Sequence, residues 1–257
     1  MNKLLILVTV LFCMLGPATA QVKNRIKKGH RNKSESQFAL ERGILEFDWE
    51  AGNENNNSQL GTAIYPNLAL RYGITERLEL NTEISLVTAY SKSIRPKVKN
   101  TGIEPVSVGF NYLILKDSGR RPAIIFSTQV AIPWMSGAAF SAKYYAPTIE
   151  LVAQQQISTK NVLGISGGLF WDGFSSAADL VYNLNDTYQF TSKWSATVEL
   201  FGYLGRNSPL NYADAGIIYT INKKLQFGCL AGFGLSSAAY TNYFAINGTW
   251  GINLRRR

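Results

Sequence analysis

Apolar and polar residues alternate along most of this chain with a period of two. The clearest run covers residues 76–88, in which Leu78 and Leu80 share one face while Glu79 and Asn81 share the other. Successive side chains of a β-strand point to opposite faces, whereas a helix would scatter both sets around its circumference. The pattern therefore predicts a strand with one apolar face and one polar face.

The same alternation recurs in about twelve runs that continue almost to the C-terminus. Each run is long enough to cross a bilayer, because a tilted strand needs roughly 9–11 residues to do so. We expect strands near residues 39–50, 61–73, 76–88, 105–116, 121–134, 144–157, 161–173, 179–191, 194–205, 211–221, 224–235 and 241–254.

The connections between these runs alternate in length. Short turns on one side and long polar loops on the other are typical of outer-membrane barrels. The predicted fold is therefore all-β, a transmembrane antiparallel up-and-down β-barrel of about twelve strands with both termini on the periplasmic side. Tight turns are expected at 73–76, 117–120, 158–160, 192–193 and 222–223, and longer connections at 51–60, 89–104, 135–143, 173–178, 206–210 and 236–240.

The five tryptophans fall near the ends of predicted strands. Aromatic side chains concentrate at the two membrane–water interfaces of such barrels, although the same residues also serve as ordinary core aromatics. As a set they favour two interfacial girdles: Trp49, Trp134, Trp171, Trp194 and Trp250.

The N-terminus has the form of a secretory signal peptide. Lys3 precedes an apolar run that ends at Leu15, and Ala18 and Ala20 provide a small-residue cleavage site. The run is short for a membrane-spanning helix, and an uncleaved anchor is the alternative. We expect cleavage after Ala20, so that residues 1–20 are the signal peptide, 21–38 a basic disordered periplasmic segment, and 39–257 a barrel in the bacterial outer membrane.

The formal net charge of +9 is concentrated at the two ends of the chain. Six basic residues lie between positions 23 and 33 and three arginines end the chain, so the remainder is nearly neutral. We therefore expect no nucleic-acid partner. After cleavage Cys229 is the remaining cysteine, which excludes an internal disulfide in the exported chain.

One hairpin carries a family resemblance. It contains Arg71-Tyr72-Gly73-Ile74-Thr75-Glu76-Arg77-Leu78-Glu79-Leu80 within residues 65–80. This sequence resembles the corresponding hairpin of the outer-membrane transporters of the phenol-degradation (meta-pathway) family. Weaker similarities over 102–109, 121–133 and 214–227 extend the resemblance to most of residues 40–254. The resemblance implies an outer-membrane barrel that passes small hydrophobic or aromatic compounds.

Alternation also assigns charged side chains to the polar, inward face. A lone buried charge is costly, so we expect pairing, with Arg71 beside Glu79. Two interpretations stay open: a network that fills the barrel, or a pore with a lining that favours cations. The candidates for the lumen are Glu46, Asp48, Arg71, Arg77, Glu79, Glu83, Glu150, Glu199 and Asp214.

The sequence offers little catalytic chemistry. His30 is the chain's one histidine and lies in the basic segment, which excludes Ser-His hydrolysis and a histidine metal site on the barrel. Phosphate-binding glycine loops and nucleophile elbows are absent from the sequence. We therefore expect no enzyme, no cofactor and no metal.

Three function classes follow from these patterns. The first is a pore or transporter for a small-molecule solute, the second a structural or interaction barrel with a filled lumen, and the third a soluble secreted β-protein. The expected partner of either barrel is outer-membrane lipid. The basic loop over 91–99 would face lipopolysaccharide, or it is a plain solvated loop.

Overall fold

The computed structural model describes residues 41–55, 60–91, 99–118, 121–205, 209–237, 239 and 242–254. The described part of the chain is almost entirely β-sheet. A 3-10 helix covers Ala138–Phe140. The strands are β1 (Ile44–Asn55), β2 (Leu60–Gly73), β3 (Leu78–Ser91), β4 (Lys99–Ile103), β5 (Ser107–Leu115), β6 (Ala123–Ala131), β7 (Ala146–Gln156), β8 (Asn161–Phe170), β9 (Asp179–Gln189), β10 (Trp194–Leu204), β11 (Pro209–Asn222), β12 (Leu225–Gly234) and β13 (Asn242–Asn253).

The strands form one closed antiparallel ring. β1 pairs with β2 on one side and with β13 on the other, β2 pairs with β3, and from β5 to β13 each strand pairs with the next in sequence. β4 and β5 both pair with β3 and together make one interrupted crossing, so the ring has twelve crossings. This closure confirms the predicted fold, since a sheet in lipid must leave no backbone edge unpaired.

Prolines coincide with two irregularities that the alternation did not predict. The register of β2 on β3 shifts between Ile64 and Asn67, where Pro66 stands. Pro105 lies in the break between β4 and β5. Because proline has no N–H to donate to a ladder, regular pairing stops at both places. The predicted loop over 89–104 is accordingly part sheet, with β3 reaching Ser91 and β4 beginning at Lys99.

The short turns lie at one end of the barrel, called the periplasmic end after the orientation that the sequence predicts, and four of them are closed by hydrogen bonds to a polar side chain. In the β2–β3 turn the Thr75 hydroxyl accepts hydrogen bonds from the N–H groups of Arg77 and Leu78 at 3.1 and 2.9 Å. Ser158 and Thr191 do the same for the two residues that close their own turns. Asn222 accepts from the N–H of Lys224 at 2.8 Å. These side chains stabilise the tight turns, as Ser, Thr and Asn do where the chain reverses.

The outer wall is apolar and ends in aromatic residues. Leu80, Ile84 and Leu86 of β3 are exposed on this wall, as alternation predicts. Trp194 and Trp250 are exposed near the periplasmic end, and Trp134 is exposed on the loop side. This arrangement matches a band of lipid-facing side chains between two interfaces. None of the described residues belongs to a helix that is long and apolar enough to cross a membrane.

Several sequence predictions concern residues outside the described part of the chain. These are the signal peptide over 1–20, the basic segment over 21–38 with its His30, the centre of the basic loop at 92–98, and the C-terminal arginines 255–257. The predictions for these segments stay predictions.

Candidate functional site: the barrel lumen

Most of the candidates for the lumen lie inside the barrel. Glu83 and Glu150 are half-buried, and Arg77 is exposed. The remaining six are buried: Glu46, Asp48, Arg71, Glu79, Glu199 and Asp214.

Arg77 differs from the other candidates because it lies in a turn. The predicted strand begins at residue 76, whereas β3 begins at Leu78. The N–H of Arg77 is bound by the Thr75 hydroxyl, and the side chain is exposed at the periplasmic rim. The structure therefore corrects the prediction that Arg77 lies on the polar, inward face of a strand.

Arg71 organises the periplasmic end of the lumen. Its guanidinium forms a two-pronged ion pair with Glu79, in which Nη2 donates to Oε2 at 2.7 Å and Nε donates to Oε1. Nη1 donates to Glu46 Oε1 at 2.9 Å, and Asn111 Nδ2 donates to Glu79 Oε1 at 3.1 Å. The predicted pairing of Arg71 with Glu79 is confirmed. Fork-shaped geometry of this kind suits a buried carboxylate, because one arginine supplies several donors.

Register explains how Arg71 reaches Glu79. On β2 and β3, Arg71 is directly opposite Asn81, and Glu79 is opposite Gly73. The ion pair is therefore diagonal across the two strands, a distance that a long side chain spans. On the other side of β2, Arg71 is directly opposite Glu46 of β1. Three neighbouring strands thus bring one base between two acids.

Other acids in the lumen accept hydrogen bonds from neutral donors. Thr249 Oγ1 donates to Asp48 Oδ1 at 2.8 Å, and Gln129 Nε2 donates to Glu83 Oε2 at 3.1 Å. Tyr243 donates its hydroxyl to Asp214 Oδ2 at 2.7 Å. Each of these donors is a neutral hydroxyl or amide group.

Two buried acids were missed by the sequence reasoning. Glu50 and Glu54 are almost fully buried on β1, on the same face as Glu46 and Asp48. The alternation alone predicts that Glu50 faces inward, because Glu50 lies in the predicted strand over 39–50 and is two residues from Asp48. Glu54 was assigned to a loop because the strand was expected to end at residue 50, whereas β1 continues to Asn55.

Carboxyl groups outnumber basic groups among the described side chains that are buried inside the barrel. Among the described residues, seven buried acids stand against one buried base, Arg71. Four of the acids lie on β1 and the other three on β3, β10 and β11, so they occupy the arc of the ring that runs from β10 through β13 and β1 to β3.

Two apolar clusters share the lumen with these charges. Near the periplasmic end, Leu113, Ala123, Ile125 and Val152 pack together on β5, β6 and β7. Near the loop end lies a larger cluster, called here the extracellular aromatic cluster. Its buried members are Val87, Phe201, Tyr212, Leu230, Ala239, Tyr243 and Ala245, and Phe140, Tyr203 and Leu210 pack against it.

Two other features bear on chemistry. Within the described ranges, no three His, Cys, Asp or Glu side chains lie close enough together to hold a metal ion. A groove of about 570 Å³ lies on the outer wall over β2, β3, β5 and β6, between Leu70, Tyr72, Leu80, Val108 and Phe110. Its lining is apolar and belongs to the lipid-facing band, so this groove is separate from the lumen.

Solved structures with the same architecture define the class of the fold. The COG4313 outer membrane channel from Pseudomonas putida F1 is 11% identical, and the match covers 86% of this chain and 100% of that one with a TM-score of 0.69. The KdgM porin is 10% identical over 80% and 98% of the two chains, with a TM-score of 0.56. The NanC porin is 12% identical over 79% and 98%, with a TM-score of 0.52. The chain therefore has the fold of the bacterial outer-membrane channels.

Sequence comparison identifies the family within that class. Residues 24–251 match the family described as "Putative MetA-pathway of phenol degradation", and the chain belongs to this family. The match confirms the resemblance that the hairpin at residues 65–80 indicated. No curated protein matches the chain.

Proposed function

We propose that this protein is an outer-membrane channel for small neutral or cationic molecules, including apolar and aromatic ones. The observation that carries the proposal is a closed barrel whose wall is apolar outside and whose interior is rich in buried carboxylates. Such a barrel is stable in lipid and offers a solute a path that avoids the hydrocarbon.

The preference for cations rests on the charge of the lumen. Seven buried acids and one buried base among the described residues create a negative field, and the low dielectric of the surrounding wall strengthens it. An anion entering the lumen would meet carboxylates on several strands. The negative field therefore argues against anions as the transported class.

The preference for apolar or aromatic solutes rests on the extracellular aromatic cluster. Phe201 and Tyr212 of this cluster stack with ring centroids 5.0 Å apart. Tyr203, which packs against the cluster, meets Phe170 of β8 edge to face at 5.2 Å. Aromatic faces bind apolar rings and also attract cations. Membership of the phenol-degradation family agrees with such solutes.

The proposal includes export and location. The signal-like residues 1–20 would direct the chain across the inner membrane, with cleavage after Ala20. The barrel would then contact outer-membrane lipid, and the basic loop over 91–99 would lie near the phosphates of lipopolysaccharide. A solute channel of this kind needs no catalytic residue and no cofactor.

A second candidate function is a structural or interaction barrel that transports nothing. One observation favours it: the extracellular aromatic cluster joins Val87 of β3 to Phe201 of β10, and these strands stand opposite each other in the ring. Side chains therefore reach across the interior at this level. A barrel of twelve strands is small enough for such filling to block it.

Permeation measurements separate the two candidates. The purified full-length protein is placed in planar bilayers under a salt gradient, and in vesicles that contain either benzyltrimethylammonium or benzenesulfonate. Both probes are permanently charged aromatic ions, so neither crosses lipid alone. A cation-selective current with release of benzyltrimethylammonium alone is expected. Equal release of both ions would contradict the cation preference, and the absence of any current or release would favour the structural barrel.

A further inference from the structure

Tyr243 occupies an unusual place in the extracellular aromatic cluster. It is 4% exposed and lies on β13, opposite Gly232 of β12 and Glu54 of β1. Its ring meets the ring of Tyr212 at a centroid distance of 6.4 Å and an interplanar angle of 74°. Tyr212 in turn stacks on Phe201. The three rings form a continuous series from β13 across β11 to β10.

Gly232 gives the Tyr243 ring its position. A methyl group built at Gly232 would overlap the Tyr243 ring and also meet Asp214. The absence of a side chain therefore lets Tyr243 lie across β12 and reach β11. There its hydroxyl donates to Asp214 Oδ2 at 2.7 Å. Glycine at this site lets the Tyr243 ring approach the backbone of β12 closely, and a larger residue would occupy the space of the ring.

The same level of the lumen is covered from the other sides. Val87 of β3 belongs to the cluster although β3 lies opposite β10. Phe140, from the 3-10 helix in the β6–β7 loop, packs against the cluster from the loop side. Leu230 and Ala245 complete its wall on β12 and β13. Any solute that passes between the loops and the periplasmic end must cross this layer.

We propose that Tyr243, held across Gly232 by its hydrogen bond to Asp214, is the constriction that sets the largest solute the lumen admits. This inference rests on the proposed channel function and gives that function its selecting residue. The ring determines the size of the opening. The hydrogen bond holds the ring in the narrowed position, so ring and hydroxyl make separable contributions.

Four substitutions separate those contributions. Tyr243→Ala removes the ring and the hydroxyl together. Tyr243→Phe keeps the ring but removes the donor to Asp214. Gly232→Ala keeps both groups but displaces the ring from its place over β12. Phe244→Ala is the matched control, because Phe244 is the next residue on β13 and is exposed on the lipid-facing wall.

The test measures single-channel conductance in planar bilayers and the largest neutral polyethylene glycol that enters the pore. Tyr243→Ala should raise conductance roughly twofold or more and admit larger polymers, because the narrowest section limits passage. Tyr243→Phe and Gly232→Ala should give smaller rises with noisier open states. Phe244→Ala should leave both readouts at the level of the unsubstituted protein. Migration of unheated samples on gels checks that each variant forms a closed barrel.

The outcomes distinguish this inference from the channel function itself. One outcome is that the unsubstituted protein conducts while Tyr243→Ala, Tyr243→Phe and Gly232→Ala all leave the conductance and the polymer cut-off unchanged. In that case the proposed constriction at Tyr243 is wrong, and the proposed channel function is retained. If the folded protein and all folded variants fail to conduct, the constriction and the channel function are both wrong. A silent protein that Tyr243→Ala opens supports the constriction. Should Tyr243→Ala fail to fold, Tyr243→Phe and Gly232→Ala decide the matter by the same two readouts.

Discussion

The two ends of the lumen are built from the same alternation of residues but are held by different forces. At the periplasmic end, Arg71 joins Glu46 and Glu79 in a buried ionic network. At the loop end, apolar and aromatic side chains pack across the interior, with the Tyr243–Asp214 hydrogen bond inside the cluster. Charge removal should therefore be most damaging at the first end, and ring removal should change the opening at the second.

The largest expected effect is at Arg71. Arg71→Leu would leave Glu46 and Glu79 buried without the base that joins them, and removal of one partner from such a network costs about 3–5 kcal/mol. Thermal and denaturant unfolding of the purified barrel should show this loss. The control is Arg77→Leu, because Arg77 is exposed in the turn six residues later along the chain. Equal stability of the two variants would show that the ionic network does not stabilise the periplasmic end of the lumen.

Rescue would sharpen that result. Glu46→Gln and Glu79→Gln, combined with Arg71→Leu, remove the remaining charges and should recover part of the lost stability. Failure of the triple variant to exceed Arg71→Leu would show that packing around Arg71, and not its charge, carries the effect.

The next largest effect tests which face of β3 points outward and which points into the lumen. Leu80 is exposed on the outer wall, and Asn81 is directly opposite Arg71 on the inner face. Leu80→Arg should destabilise the barrel, but by less than the roughly 2–4 kcal/mol expected at the membrane midplane, because Leu80 is the third residue of β3 after the short turn. Asn81→Arg should be tolerated better, since its charge enters a lumen rich in carboxylates. Unfolding in lipid vesicles measures both, and the reverse order would invert the face assignment.

A smaller difference is expected between two acids on the same strand. Glu79 accepts two hydrogen bonds from Arg71 and one from Asn111, whereas Glu83 is bound by Gln129 at 3.1 Å. Glu79→Gln should therefore cost about 1–3 kcal/mol, because hydrogen bonds to charged groups are the stronger ones. Glu83→Gln should cost less in the same unfolding experiment. A larger loss of stability for Glu83→Gln would mean that the stabilising network lies around Glu83, nearer the middle of the lumen, and not around Glu79.

Much of the fold was predictable because the membrane constrains it. Lipid demands apolar outward positions, and the lumen accepts polar ones, so alternation along β3 revealed its faces without further information. Thr75, Ser158 and Thr191 signal the tight turns, since their hydroxyls cap the chain reversal locally. The pairing of Arg71 with Glu79 was predictable because both lie on one hairpin.

The rest depends on register between strands that are distant in sequence. Tyr243 reaches Asp214 only because β12 places Gly232 between them, and no local pattern connects these three positions. Glu54 was missed because β1 and β13 pair up to Asn55, which extends β1 beyond the polar residues that looked like a loop. Pro66 and Pro105 indicate where regular pairing can stop. Which neighbouring strand loses its register there depends on the pairing in the closed ring.

The smallest expected effect concerns the charge of the middle of the lumen. Glu83 and Glu199 lie on β3 and β10, which stand opposite each other in the ring, so both would act on a passing ion. Changing both to glutamine should lower the cation-to-anion permeability ratio roughly twofold, because two carboxylate charges are removed while the apolar walls remain. The reversal potential under a salt gradient measures this ratio. Glu76→Gln is the control, since Glu76 is exposed in the β2–β3 turn. An equal shift from Glu76→Gln would mean that charge at the periplasmic rim, outside the lumen, sets the selectivity, and an unchanged ratio in the double variant would remove both carboxylates from the ion path.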